Sequence, residues 1–190
     1  MQPKNEDPYV SRAAHKLDSV TKTLALDFKD KIVLDVGASS GGFSEYALRH
    51  GAKLVLAVEK GTNQLNPRLR LNPKLKSFEK TDIRSFQCDY KIDLVLIDVS
   101  FVSLEEILPA VRKLVDPDSV IVAMAKPQFE TKDQKLKNHG VIKNERIRRQ
   151  LLINLELWLK QYFVIQAKAD SQLSGVKGNR ERFYKLRIAN

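Results

Sequence analysis

At 190 residues the chain has the length of one domain able to bury a substantial core. Hydrophobic residues make up 43% and charged residues 29% of it, no apolar run approaches the ~18 residues of a membrane span, and the polar start MQPKNEDPYV lacks a signal-peptide core. Cys88 has no second cysteine to pair with, so the expectation is a cytoplasmic protein with no membrane partner, no disulfide and no metal: His15, His50 and His139 lack ligand spacing.

The net charge of +10 is uneven. Residues 1–130 hold 19 Lys+Arg against 18 Asp+Glu, whereas residues 131–190 hold 14 against 5. A basic C-terminal third suits a phosphate backbone, and a solvated solubilising surface gives the same count.

In chain order, residues 1–8 read as a flexible lead and residues 9–190 as one domain. Ser11 to Phe28 reads as an amphipathic helix, with Ala14, Leu17, Val20, Leu24 and Phe28 at helical spacing. Buried parallel strands are predicted at Lys31 to Val36, Leu54 to Val58, Asp93 to Ile97 and Val120 to Ala125, with a weaker one near Leu75 to Glu79. Helices are predicted at Gly42 to His50, Gln64 to Leu71, Ser103 to Val115 with a kink at Pro109, and Glu145 to Tyr162. Two last strands, near Phe163 to Ala169 and Arg182 to Ile188, bring the total to seven. The alternation predicts an α/β fold: a mostly parallel seven-stranded sheet with helices on both faces. Trp158 and Phe163 read as core, while Arg146, Arg148 and Arg149 read equally as a phosphate clamp or an exposed helix face.

The segment KIVLDVGASSGGFSEYAL, Lys31 to Leu48, runs a buried strand into a Gly/Ser-rich turn and a helix, a place built to receive a nucleoside. Candidate cofactor residues are Asp35, Gly37, Ala38, Ser39, Gly41, Gly42 and Phe43. Glu59 ends the next strand, where a carboxylate meets ribose hydroxyls, Asp82 follows the third toward an adenine amino group, and Asp98 follows the fourth. Spacing separates the possible cofactors. Ser39 stands where a dinucleotide fingerprint needs its second glycine, and Phe43 stands where a triphosphate loop needs lysine. S-adenosylmethionine, with no phosphates to cradle, is what remains. At the other end of the crevice, Asp98 follows DLVLI and Lys126 follows VIVAMA, both where parallel-sheet enzymes place their chemistry.

YVSRAAHKL at Tyr9 to Leu17, DVGASSGGF at Asp35 to Phe43, IDVSFVSL at Ile97 to Leu104 and AKPQFE at Ala125 to Glu130 together resemble the TlyA family, in the wider FtsJ-like group of RNA 2'-O-methyltransferases. A weaker continuation is GNRERFY at Gly178 to Tyr184. The resemblance implies a class I S-adenosylmethionine-dependent methyltransferase fold (Rossmann-like), and RNA, above all ribosomal RNA or ribosomal subunits, as substrate. It also implies a catalytic Lys-Asp-Lys-Glu tetrad falling on Lys16, Asp98, Lys126 and Glu181. In that set Lys126 takes the proton of a ribose hydroxyl with Asp98 orienting it, and Glu181 holds Lys16. TlyA-type proteins begin with a small S4-like RNA-binding domain that this chain does not show. RNA affinity is therefore expected to rest on the basic C-terminal surface and on Lys132 to Asn144, a polar loop carrying Lys132, Lys135, Lys137, His139 and Lys143 that reads as a substrate lid or as uninvolved. Three other functional readings stand beside ribose methylation: an RNA-binding module that kept the fold and lost turnover, a haemolysin, a label that TlyA-like proteins also carry, and a methyltransferase acting on a base or a small molecule.

Overall fold

The computed structural model describes residues 9–131, 140–175 and 178–189. The lead at 1–8 and positions 132–139 of the expected loop lie outside the described residues. The elements in chain order are α1 (Arg12–Thr21), β1 (Ile32–Val36), α2 (Gly42–Arg49), β2 (Leu54–Val58), α3 (Pro67–Arg70), β3 (Leu75–Phe78) and a 3-10 turn at Ile83–Ser85. They continue with β4 (Ile92–Ile97), α4 (Leu104–Arg112), β5 (Val115–Ala125), α5 (Glu145–Leu159), β6 (Phe163–Asp170) and β7 (Arg182–Ile188). The sheet runs β3, β2, β1, β4, β5, β7, β6. Strands β1 to β5 are parallel, and β7 lies antiparallel to β5 and β6. This is the seven-stranded, mostly parallel sheet that the alternation of elements predicts, in the arrangement that the family resemblance implies.

Register decides what meets at the edge where the parallel strands end. Val36 of β1 lies opposite both Val58 of β2 and Ile97 of β4, so the residues after these strands, Gly37, Glu59 and Asp98, emerge level with one another. Ala125 of β5 lies opposite Arg182 of β7. Because β7 runs backwards, its beginning lies at this same edge, with Glu181 beside Lys126.

Each sheet face is covered by its own core. Leu17, Val20, Leu24 and Phe28 pack with Phe43, Tyr46, Leu65 and Leu69 on one face. Ile107, Leu108 and Val111 of α4 join Leu152, Leu155 and Leu159 of α5 on the other. Full burial of side chains such as Leu17, Leu24 and Phe28 contributes roughly 1.5–3 kcal/mol each. Trp158 packs partly buried against the second core and Phe163 is buried in it. Strand β6, at the sheet edge, alternates between more and less exposed positions from Phe163 to Lys168, whereas β1 is buried nearly throughout.

Helix boundaries differ from the expected ones for local reasons. The first helix stops at Thr21 because Ala25 takes a left-handed φ of 46° and the chain turns; Leu24 and Phe28 reach the core from that turn, which is why the apolar period outlives the helix. Helix α3 starts only at Pro67, since the Gln64 and Leu65 N–H groups donate to the Glu79 carboxylate and Asn66 caps the helix through the Arg68 N–H. Helix α4 runs on through Pro109, which sits on its exposed side. Asn144 caps α5 by accepting from Arg146 and Ile147.

Contact between α1 and α2 depends on Gly42. A Cβ there would lie 2.2 Å from Ser11 Oγ and 2.9 Å from Ala13 Cβ, so only glycine lets the two helices approach. Gly42→Ala is expected to push α1 outward and cost about 1–3 kcal/mol, read as a lower urea midpoint. An unchanged midpoint would show that the interface yields without cost.

Candidate active site

The turn after β1 is shaped by backbone requirements. Gly37 has φ 82°, and a Cβ on it would lie 2.7 Å from the Asp98 carbonyl oxygen, so a side chain is sterically refused where β1 and β4 end side by side. Ser39 has φ 48°, and its N–H donates to Glu59 Oε2 at 2.9 Å, while the Gly61 N–H donates to Glu59 Oε1 at 2.6 Å. Glu59 thereby fixes the turn and keeps lone pairs for a ligand, because a carboxylate has about four acceptor positions.

Two cavities, of about 350 and 480 Å³, lie along this edge and share Gly37, Ser39, Asp98 and Ser100, so they form one crevice. The first is walled by Ser11, Arg12 and Lys16 of the α1 region, the Asp35 to Phe43 turn, and Lys126. The second extends past Glu59 to Asp82, with Ile83, Val99, Val102 and Ile107 as an apolar wall. Of the sequence candidates, Asp35, Gly37, Ala38, Ser39, Phe43, Glu59, Asp82 and Asp98 line the crevice. Gly41 and Gly42 do not. A Cβ on Gly41 would strike Leu69 and Leu65, so both glycines serve packing against neighbouring segments.

The two lysines and their acids arrive as separate ion pairs. Lys126 Nζ lies 2.6 Å from Asp98 Oδ1 and Lys16 Nζ 2.6 Å from Glu181 Oε2; both lysine side chains are 11% exposed. Glu181, 2% exposed, sits behind Lys16. Gly175 makes room for it, since a Cβ there would lie 2.9 Å from Glu181 Oε1. Lys126 also donates to Ser100 Oγ at 2.8 Å.

Asp35 is fully buried. Its Oδ2 accepts from Ser44 Oγ at 2.6 Å, and its Oδ1 meets no donor among the described residues. Burial pushes its pKa up to about 7; the Ser44 hydrogen bond opposes this, and the Asp98 and Glu59 charges add to it. Asp82 behaves in the opposite way. Hydrogen bonds from the Arg84 guanidinium, then from the Arg84 N–H, hold it well below the usual carboxylate range, with Lys60 3.5 Å away.

Two crevice residues were not singled out by the sequence. Ser100 lies within IDVSFVSL but carries no chemical signature of its own there, and Ile107 has the spacing of a core residue of α4. The arginine trio separates: Arg148 is buried against Asp170 and the Arg180 carbonyl, while Arg146 and Arg149 are exposed. Among the described residues no three His, Cys, Asp or Glu side chains form a metal-binding group, and no helix is long and apolar enough to cross a membrane.

A family model described as FtsJ-like methyltransferase matches residues 9–187. The chain belongs to this family. It is 34% identical to Bacillus subtilis YqxC over 178 residues, covering 91% of this chain and 63% of that protein, so it spans less than two thirds of that relative. It is 35% identical to the Campylobacter jejuni 23S rRNA (cytidine-2'-O)-methyltransferase TlyA, covering 93% of this chain and 70% of that one. A solved Streptococcus thermophilus structure, described as a hemolysin, superposes with TM-score 0.91 at 34% identity, covering 98% of this chain and 70% of that one.

S-adenosylmethionine is the cofactor of this family, and the crevice fits it. The unpartnered Asp35 oxygen offers an acceptor for an ammonium group, Glu59 keeps free lone pairs for hydroxyls, and the apolar wall beside Asp82 suits a purine.

The raised Asp35 pKa has a consequence for stability. Between its ordinary 3.8 and about 7 the native state holds a proton that the unfolded chain has lost. This contribution is complete below about pH 4 and is lost as pH rises to about 7. In the ligand-free protein, Asp35→Asn is expected to flatten that fall, measured as urea midpoints from pH 4 to 8 for both proteins. Equal slopes in the two proteins would show that Asp35 is not its source.

Proposed function

We propose that the chain methylates ribose 2'-hydroxyls of ribosomal RNA, using S-adenosylmethionine. The observation that carries this reading is the meeting of two lysine–carboxylate pairs, Lys126–Asp98 and Lys16–Glu181, at one end of a nucleoside-sized crevice with which Asp98 and Ser100 are shared. A ribose hydroxyl is a poor nucleophile until its proton is being removed, and an amine beside the acceptor position answers that need. Two relatives point to the same substrate by name: the Campylobacter protein, and a Mycobacterium tuberculosis 16S/23S rRNA (cytidine-2'-O)-methyltransferase TlyA that is 35% identical over 188 residues. Such a substrate places the protein in the cytoplasm.

When bound, the cofactor supplies an electrophilic methyl group. Asp35 holds its amino-acid ammonium, Glu59 its ribose hydroxyls and Asp82 its adenine end, while Gly37, Ala38, Ser39 and Phe43 shape the wall between. Lys126 removes the 2'-hydroxyl proton, with Asp98 orienting its Nζ. Lys16 faces the same cavity and adds positive charge beside the oxygen as it becomes anionic, and Glu181 fixes Lys16 from behind. Little covalent help is required of the protein, so alignment of the hydroxyl supplies much of the rate.

The test is transfer of labelled methyl to ribosomal RNA and to ribosomal subunits, followed by nucleoside digestion. Label is expected in a 2'-O-methylnucleoside. Lys126→Ala is expected to lower the rate by about 10²-fold or more while cofactor affinity measured by calorimetry changes little. Near-normal turnover in that variant removes Lys126 as the base. Cofactor binding without any label in RNA removes the substrate assignment.

A further inference from the structure

We propose that Ser100 is a positioning residue that aims Lys126, an inference that rests on the reading of Lys126 as base. Three observations carry it. The Ser100 hydroxyl accepts a hydrogen bond from Lys126 Nζ at 2.8 Å, while Asp98 Oδ1 lies 2.6 Å from the same nitrogen. Ser100 belongs to both halves of the crevice, as only Gly37, Ser39 and Asp98 do besides it. It is also exposed, although its neighbour Lys126 is nearly buried, so its position is not dictated by core packing.

An amine nitrogen is tetrahedral. Nitrogen Nζ has four corners. One is bonded to Cε, the N–H donated to Ser100 fills a second, and a third is drawn by the ion pair toward Asp98, whose Oδ1 accepts no hydrogen bond of its own. The fourth is then the only corner left for the lone pair when Lys126 is neutral, and it is directed by the other three. With Asp98 alone as partner, rotation about the Cε–Nζ bond exchanges the lone pair with a hydrogen at no cost in hydrogen bonds, and the base points away from its substrate for much of the time. In the proton transfer the 2'-O–H bond breaks and its electron pair stays on oxygen. The proton joins the Nζ lone pair to give the ammonium, of whose other two N–H groups one remains on Ser100 and one faces Asp98 across the ion pair. Neither partner has to move between the two protonation states, so no reorganisation accompanies the step.

Ser100 therefore acts on turnover and not on binding. Ser100→Ala is expected to lower kcat about tenfold or more, the scale of one lost hydrogen bond to a charged group, with the RNA KM and the cofactor Kd within about twofold of wild type. Ser100→Thr keeps the hydroxyl, its extra methyl has room at an exposed position, and it restores most of the rate. A second readout is independent of turnover. In protein carrying ¹³C at the lysine ε-carbons, the two ε-protons of Lys126, assigned with Lys126→Arg, are expected to show separate shifts in wild type and in Ser100→Thr and to merge in Ser100→Ala. A wild-type kcat in Ser100→Ala overturns the proposal, as does a loss not recovered by threonine or an ε-methylene equally ordered in all three proteins. If wild type itself transfers no methyl to RNA, the substrate reading fails, and the ε-proton shifts alone decide whether Ser100 orders Lys126.

Discussion

Lys16 and Glu181 come from opposite ends of the chain, the first helix and the lead into the last strand, and their buried ion pair makes those ends neighbours. The wall that α1 gives to the crevice is anchored through it. Loss of one partner from a pair this buried leaves a charge without compensation, typically at a cost of about 3–5 kcal/mol, so neither residue is free to drift independently. The approach of α1 through Gly42, the room left by Gly175 and the reversal of β7 are the local arrangements that allow it.

Carboxylates crowd the end of the sheet, and each is treated differently. Asp35 is next to last in β1, and Glu59 and Asp98 follow the two strands that flank it in level register. Glu59 is stabilised by backbone N–H groups and Asp98 by an ammonium, whereas Asp35 has a single hydroxyl and retains its proton up to about pH 7. The outcome is a crevice in which one acid retains its proton beside two whose charge is balanced, one by backbone N–H groups and one by an ammonium.

Much of this was legible in the residues. The β-strands were readable because parallel strands buried on both faces leave continuous apolar runs such as IVLDV and LVLAV, and the Asp35 to Phe43 turn was readable because its glycines are punctuation that nothing else supplies. Helix ends were less so. Whether Phe28 belongs to a helix or to the turn after it depends on Ala25 adopting a left-handed φ, which alanine does not announce. Gly41 and Gly42 looked like ligand residues because glycine marks any close approach, and sequence does not say whether the approaching atom belongs to a cofactor or to Leu69 and Ser11. The crevice roles of Ser100, Val99 and Ile107 depend on strand register, which a single sequence does not state.

The reversal of β7 also decides where the chain leaves the molecule. Because β7 starts at the crevice edge, it finishes at the opposite end of the sheet, where Ile188 lies beside Phe163 at the beginning of β6. Ser11 and Arg12, by contrast, form part of the crevice wall. The two ends therefore have unequal reach. A segment joined at Tyr9 starts beside the crevice wall, while one joined at Ala189 starts at the far pole. An affinity handle, fluorophore or surface linker attached at the carboxyl end leaves the mouth clear, and the same attachment at the amino end competes with whatever docks there.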